Sequence, residues 1–87
     1  MATTNYNFLE HNEATFGHED FVNTAVFSSD GSRLLTASND STAKLWDVNG
    51  NLLALFRHER EVWTAVFSSD GSKVLTASCD FTAKLWR

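Results

Sequence analysis

Residues 17–46 read GHEDFVNTAVFSSDGSRLLTASNDSTAKLW, and forty positions later residues 57–86 read RHEREVWTAVFSSDGSKVLTASCDFTAKLW. Of these thirty aligned pairs only eight differ: Gly17/Arg57, Asp20/Arg60, Phe21/Glu61, Asn23/Trp63, Arg33/Lys73, Leu34/Val74, Asn39/Cys79 and Ser41/Phe81. A repeat of about forty residues belongs to stacked or radial architectures, in which one unit cannot bury its apolar faces alone. Within each copy, Val22 to Phe27 is a β-branched and aromatic run stopped by Ser29-Asp30-Gly31-Ser32, where Asp-Gly signals a hairpin turn. Leu34 to Ala37 predicts a second strand. Ser38-Asn39-Asp40-Ser41 turns the chain into a third, Thr42 to Trp46, and Asn49-Gly50 turns it again into a fourth, Leu52 to Phe56.

The rest of the composition narrows the class. A chain of 87 residues with one cysteine has no internal disulfide, and no Cys/His cluster offers a structural metal, so oligomerisation is the remaining way to staple a small unit that buries only about 60–65% of its unfolded surface. The formal charge of −4, with seven scattered basic residues, argues against a nucleic-acid or anionic-membrane surface. Met1 to Phe8 is polar, so neither a signal peptide nor a membrane span is expected, and a cytoplasmic location is the default, in weak agreement with the unpaired Cys79.

The predicted strands are short and antiparallel, and they read as continuous apolar runs, which suits a sheet covered on both faces. A four-stranded sheet sandwiched between similar sheets is a propeller blade. At this point Gly17-His18, Ser29-Asp30-Gly31, Asp40 and Leu45-Trp46-Asp47, at these spacings and twice over, resemble the WD-repeat β-propellers. The resemblance covers residues 17–86. The second copy departs from the pattern at two junctions, with Arg57 before His58 and Arg87 after Trp86.

The resemblance implies an all-β fold with two four-stranded blades per chain, divided as an N-terminal segment (1–12), an outer strand (13–17), blade 1 (18–56) and blade 2 (57–87). It implies a buried hydrogen-bond chain in each blade: His18, Thr36, Asp40 and Trp46, then His58, Thr76, Asp80 and Trp86. A histidine, an aspartate and a hydroxyl are also the ingredients of a nucleophilic triad, but in such blades these groups satisfy one another, so no catalytic role is expected. His58-Glu59-Arg60-Glu61 lacks the second histidine of a zinc-protease helix, Glu10-His11-Asn12-Glu13 reads as a solvated loop, and there is no glycine-rich phosphate loop. No metal or cofactor is expected.

Function is sought where the copies diverge. The resemblance implies that Phe21, Asn23, Asn39, Glu61, Trp63 and Cys79 lie on the rim of the central channel, where propellers of this type hold peptides or proteins. Trp63 has two readings: an interface anchor, since Trp is enriched at hot spots, or a residue packed against the neighbouring blade. Cys79 has no neighbouring base or cation to activate it, and Phe81 is expected to pack between blades.

Two blades cannot close a ring, and an open pair exposes more apolar surface than soluble monomers usually carry. Ala14-Thr15-Phe16 aligns with Ala54-Leu55-Phe56, so residues 13–17 resemble a fourth strand without its blade, while residues 57–87 supply three strands. The expectation is head-to-tail homo-oligomerisation with strand exchange through Ala14, Thr15 and Phe16. Identical two-blade chains give even rings, eight blades from four copies in preference to six from three. The functional expectation is a non-catalytic module that binds a protein or peptide. The alternative is a purely structural, fragmentary or engineered repeat protein whose only activity is self-assembly.

Overall fold

A computed structural model describes residues 11–87; Tyr6, Phe8 and Leu9, candidates for packing on the outer edge of a blade, and Glu10 lie outside the described residues. Seven strands follow in order: β1 (Val22–Phe27), β2 (Arg33–Ser38), β3 (Thr42–Asp47), β4 (Leu52–Arg57), β5 (Val62–Phe67), β6 (Val74–Ser78) and β7 (Ala83–Trp86). They form two antiparallel meanders, a four-stranded sheet β1-β2-β3-β4 and a three-stranded sheet β5-β6-β7. β1 spans the predicted run, while β2, β3 and β4 extend beyond theirs into the polar residues Arg33, Ser38, Asp47 and Arg57, of which Arg33 pairs with Asp47 and Arg57 with Thr42.

The turns follow from local chemistry. Gly31 and Gly71 take φ of 75° and 74°, a left-handed conformation that glycine adopts without steric cost. Asp30 and Asp70 hold those turns, each carboxylate accepting from the amide and hydroxyl of the serine two residues on and from the serine hydroxyl two residues before. Asp47 closes the β3–β4 turn by accepting from the amides of Asn49 and Asn51 and from the Asn51 side chain.

The core lies between the two sheets. Leu35, Ala37 and Ala43 of blade 1 are fully buried against Val62 and Ala65 of blade 2, with Phe56 and Val74 completing the cluster. Because the copies are nearly identical, each residue can be compared with its repeat equivalent. Leu35 is 0% exposed and Leu75 is 44% exposed; Val62 is 0% exposed and Val22 is 48% exposed. Blade 1 therefore lacks cover on the β1 side and blade 2 lacks it on the opposite face, where Leu85 and Val66 are also exposed.

Residues 11–18 form no strand and pair with none among the described residues, yet they lie along blade 1 in a defined way. Phe16 meets Trp46 edge-on with ring centroids 5.5 Å apart, and Phe56 meets Trp86 in a tilted arrangement at 5.1 Å. Lys44 Nζ donates to the Gly17 carbonyl at 2.9 Å, and Ala14 and Thr15 pass within van der Waals reach of a side chain placed at Gly50. The segment thus occupies, on blade 1, the position that β4 occupies on blade 2.

Truncating Leu35 removes the most enclosed aliphatic chain between the sheets. Leu35→Ala is expected to lower the unfolding free energy by about 2–5 kcal/mol, measured by urea denaturation followed by circular dichroism.

Candidate functional site

Two of the expected rim positions, 23 and 63, are set by a backbone irregularity. In the β1–β2 ladder Val22 pairs with Ser38 and the next pair is Thr24 with Ala37, so Asn23 is the extra residue of a β-bulge; Trp63 holds the same place between Val62 and Thr64. Bulges re-aim a side chain out of the alternating pattern. The pattern of apolar runs carries no sign of this bulge, since neither position holds a glycine. Asn23 and Trp63, which differ between the repeats, both line one groove.

There the bulged residues meet the turn before β3. Asn23 Nδ2 donates to Asn39 Oδ1 at 2.7 Å and to the Val62 carbonyl at 2.9 Å, while Thr24 Oγ1 donates to the Trp63 carbonyl at 2.9 Å. Asn23 is therefore a clasp between the two blades, which its place in the sequence does not signal. Asn23, Asn39, Glu61, Trp63 and Cys79 together line an open groove of about 520 Å³. Five of the six expected rim residues are thus brought together. Phe21 stands apart with its ring exposed, contributing its carbonyl to the Asn39 amide at 2.9 Å, as Glu61 does to Cys79. On the outer side Trp63 borders a second recess of about 340 Å³ with Ala77, Ser78, Cys79 and Phe81. Cys79 is a partly buried free thiol. The carboxyl of Glu61 is held below its ordinary range by its own backbone amide and then by the Arg60 guanidinium.

Each blade also carries a relay of polar groups. Trp46 Nε1 donates to Thr36 Oγ1 at 2.9 Å, Thr36 Oγ1 lies 2.6 Å from His18 Nε2, and His18 Nδ1 lies 2.9 Å from Asp40 Oδ2. An ionised carboxylate only accepts, so Nδ1 carries the proton toward Asp40 and Nε2 accepts from the threonine hydroxyl. Blade 2 repeats the relay with Trp86, Thr76, His58 and Asp80 at the same distances. Burial raises the pKa of Asp40, but hydrogen bonds from the Thr42 hydroxyl, the Glu19 amide and His18 outweigh it and hold the group far below the usual carboxylate range. The Thr82 hydroxyl is the leading cause of the same lowering at Asp80.

The chemistry of this relay is structural. Thr36 and Thr76 are buried, and both roles of each hydroxyl are taken, donor to histidine and acceptor from tryptophan. Among the described residues no buried side-chain nitrogen or oxygen lacks a partner, no group of three metal-binding side chains converges, and no helix is long and apolar enough to cross a membrane.

Comparison with known proteins agrees with this architecture. The family profile described as WD domain, G-beta repeat (WD40) matches residues 10–47 and 50–87. Periodic tryptophan protein 2 of Saccharomyces cerevisiae is 50% identical over 32 residues, covering 37% of this chain and 4% of the yeast protein. Small ribosomal subunit protein RACK1 of Drosophila melanogaster is 40% identical over 45 residues, covering 52% of this chain and 14% of that protein. The chain thus spans only a small part of the length of these relatives.

The lowered carboxylates set a pH dependence. A group whose folded pKa lies below its unfolded value near 3.9 binds fewer protons when folded, so its stabilisation is present above about pH 4 and is lost as the pH falls through the folded value. The urea midpoint is expected to drop steadily below about pH 4. In the Asp40→Asn/Asp80→Asn variant the midpoint should be lower at pH 7 and the acid slope shallower, as read from urea titrations at a series of pH values.

Proposed function

The chain belongs to the WD40 family, and from that premise we propose that its two blades join further copies head to tail in a closed propeller whose rim binds a protein or peptide. WD repeats mark protein-interaction modules, and nothing in the buried histidine relays supplies an exposed nucleophile. The reading is non-catalytic: the relays fix each turn to its sheet, and the groove at the rim presents Asn23, Asn39, Glu61, Trp63 and Cys79 to a ligand.

One observation carries the assembly: the two uncovered faces are the two halves of a contact the chain already makes with itself. Blade 1 buries Leu35 against blade 2, and blade 2 buries Val62 against blade 1; what stays exposed is Leu75 on one side and Val22 on the other, their repeat equivalents. A second copy placed by the same blade-to-blade step covers Leu75 with its own Val22. The same step brings residues 13–17 of that copy beside β7, whose outer edge has no strand pairing among the described residues. Translating the β3–β4 register by one repeat pairs Ala83 with Phe16, Lys84 with Thr15 and Leu85 with Ala14 of the neighbour.

Ring closure from two-blade units gives an even number of blades, and four copies with eight blades lie within the range of known propellers. A weak ligand contact is then repeated around the ring, so multivalent partners gain avidity.

Native mass spectrometry at micromolar concentration is expected to give a species of four copies of the 9.7 kDa chain. Three copies would keep the head-to-tail contact and reduce the ring to six blades, whereas a monomer would refute the assembly. Deleting residues 1–17 is expected to abolish the ring, since it removes the strand offered to β7.

A further inference from the structure

Four of the eight differences between the repeats fall at positions that meet across a junction. Position 23 of one blade and position 61 of the next line one groove within the chain, as Asn23 and Glu61. Moving one blade forward, the equivalent pair is Trp63 and Phe21 of the following copy. The within-chain junction is polar with acidic, and the between-copy junction is aromatic with aromatic. Both rings are exposed in the single chain, at 65% for Trp63 and 76% for Phe21.

A second pair behaves the same way. Thr42 pairs with Arg57, and the Ser41 carbonyl accepts from the amide of His58, so the within-chain junction sets small Ser41 beside large Arg57. One blade forward, large Phe81 comes beside Gly17 of the following copy, and a side chain placed at Gly17 would meet nothing within 4 Å. Phe81 is fully exposed and sits at φ 73°, a left-handed conformation that is strained for an aromatic residue. In the single chain no buried contact repays that strain.

We propose that Trp63 docks against Phe21, and Phe81 against Gly17, of the next copy of this chain, forming an aromatic lock peculiar to the between-copy junction. The inference rests on the head-to-tail reading and adds the residues that distinguish the two kinds of junction. It accounts for four of the eight differences as two compensating exchanges, polar pair for aromatic pair and small–large for large–small. Aromatic pairs of this kind contribute beyond the area they bury and are frequent interface anchors. The consequence for the rim is that the polar groove of Asn23, Asn39 and Glu61 occurs once per chain. Trp63 borders that groove on one side and the lock on the other.

The test is a set of exchanges read by sedimentation velocity across a dilution series, with circular dichroism to verify folding. All four positions are open in the single chain, so the variants should fold. Phe21→Glu and Gly17→Arg are each expected to raise the concentration at which half of the ring dissociates at least ten-fold. Phe21→Glu/Trp63→Asn and Gly17→Arg/Phe81→Ser recreate the within-chain pairs and are expected to return it to within a few-fold of wild type. A ring that forms in the wild type but is indifferent to the single changes, or is weakened further by the double changes, would overturn the lock and leave the head-to-tail reading standing. A wild-type chain that never assembles would overturn both.

Discussion

A sheet with apolar side chains on both faces is stable only between two other layers, and the rest of this structure depends on that constraint. Leu35, Ala37 and Ala43 point one way from blade 1, Leu34 and Trp46 the other, so neither face is suited to water. The second blade covers one face; the segment ending in Phe16 covers part of the other by taking the place of a missing blade's outer strand. Exposure at Val22, Leu75 and Leu85 records what two blades leave undone. Burial drives association roughly in proportion to the apolar area removed from water, without regard to whether the covering residues come from the same chain.

Polar groups inside such a blade must be satisfied by one another, because each one left unpaired costs on the order of 1–3 kcal/mol. The tryptophan–threonine–histidine–aspartate relay meets this requirement with one directed series of hydrogen bonds ending at a carboxylate. It ties the loop before β1, the turn before β3 and the third strand to the centre of the sheet. Identical distances in the two blades show that the eight substitutions leave the relay untouched. Divergence falls on residues outside the relay itself, even where they share its loop and turn, as Gly17/Arg57 beside the histidine and Asn39/Cys79 and Ser41/Phe81 beside the aspartate do.

Much of the architecture was legible in the sequence because it is local or repeated. Asp-Gly and Asn-Gly marked turns whose glycines do take positive φ, and Ala14-Thr15-Phe16, read by its alignment with Ala54-Leu55-Phe56 as an outer strand, sets Phe16 against Trp46 where Phe56 lies against Trp86. Other features were hidden. The bulge at Asn23 and Trp63 has no residue signature, since it is imposed by register with β2 and β6 and not by local preference. Nor does sequence predict a left-handed serine and phenylalanine at positions 41 and 81, where the turn geometry overrides side-chain type. The clasp from Asn23 to the Val62 carbonyl required knowing how closely two blades approach. Phe21 was grouped with the rim residues by position, but the groove within the chain is lined by its repeat equivalent Glu61 and not by Phe21 itself.

The central claim is that the free edge of β7 and the uncovered faces are completed by another copy of the same chain. Amide hydrogen exchange along β7, followed at concentrations below and above assembly, tests it most directly. The account predicts that the outward amides of Ala83 to Trp86 exchange fast in dilute solution and become strongly protected as copies associate, in step with the amides of residues 14–16. Exchange at β7 that stays fast in the assembled state would contradict it.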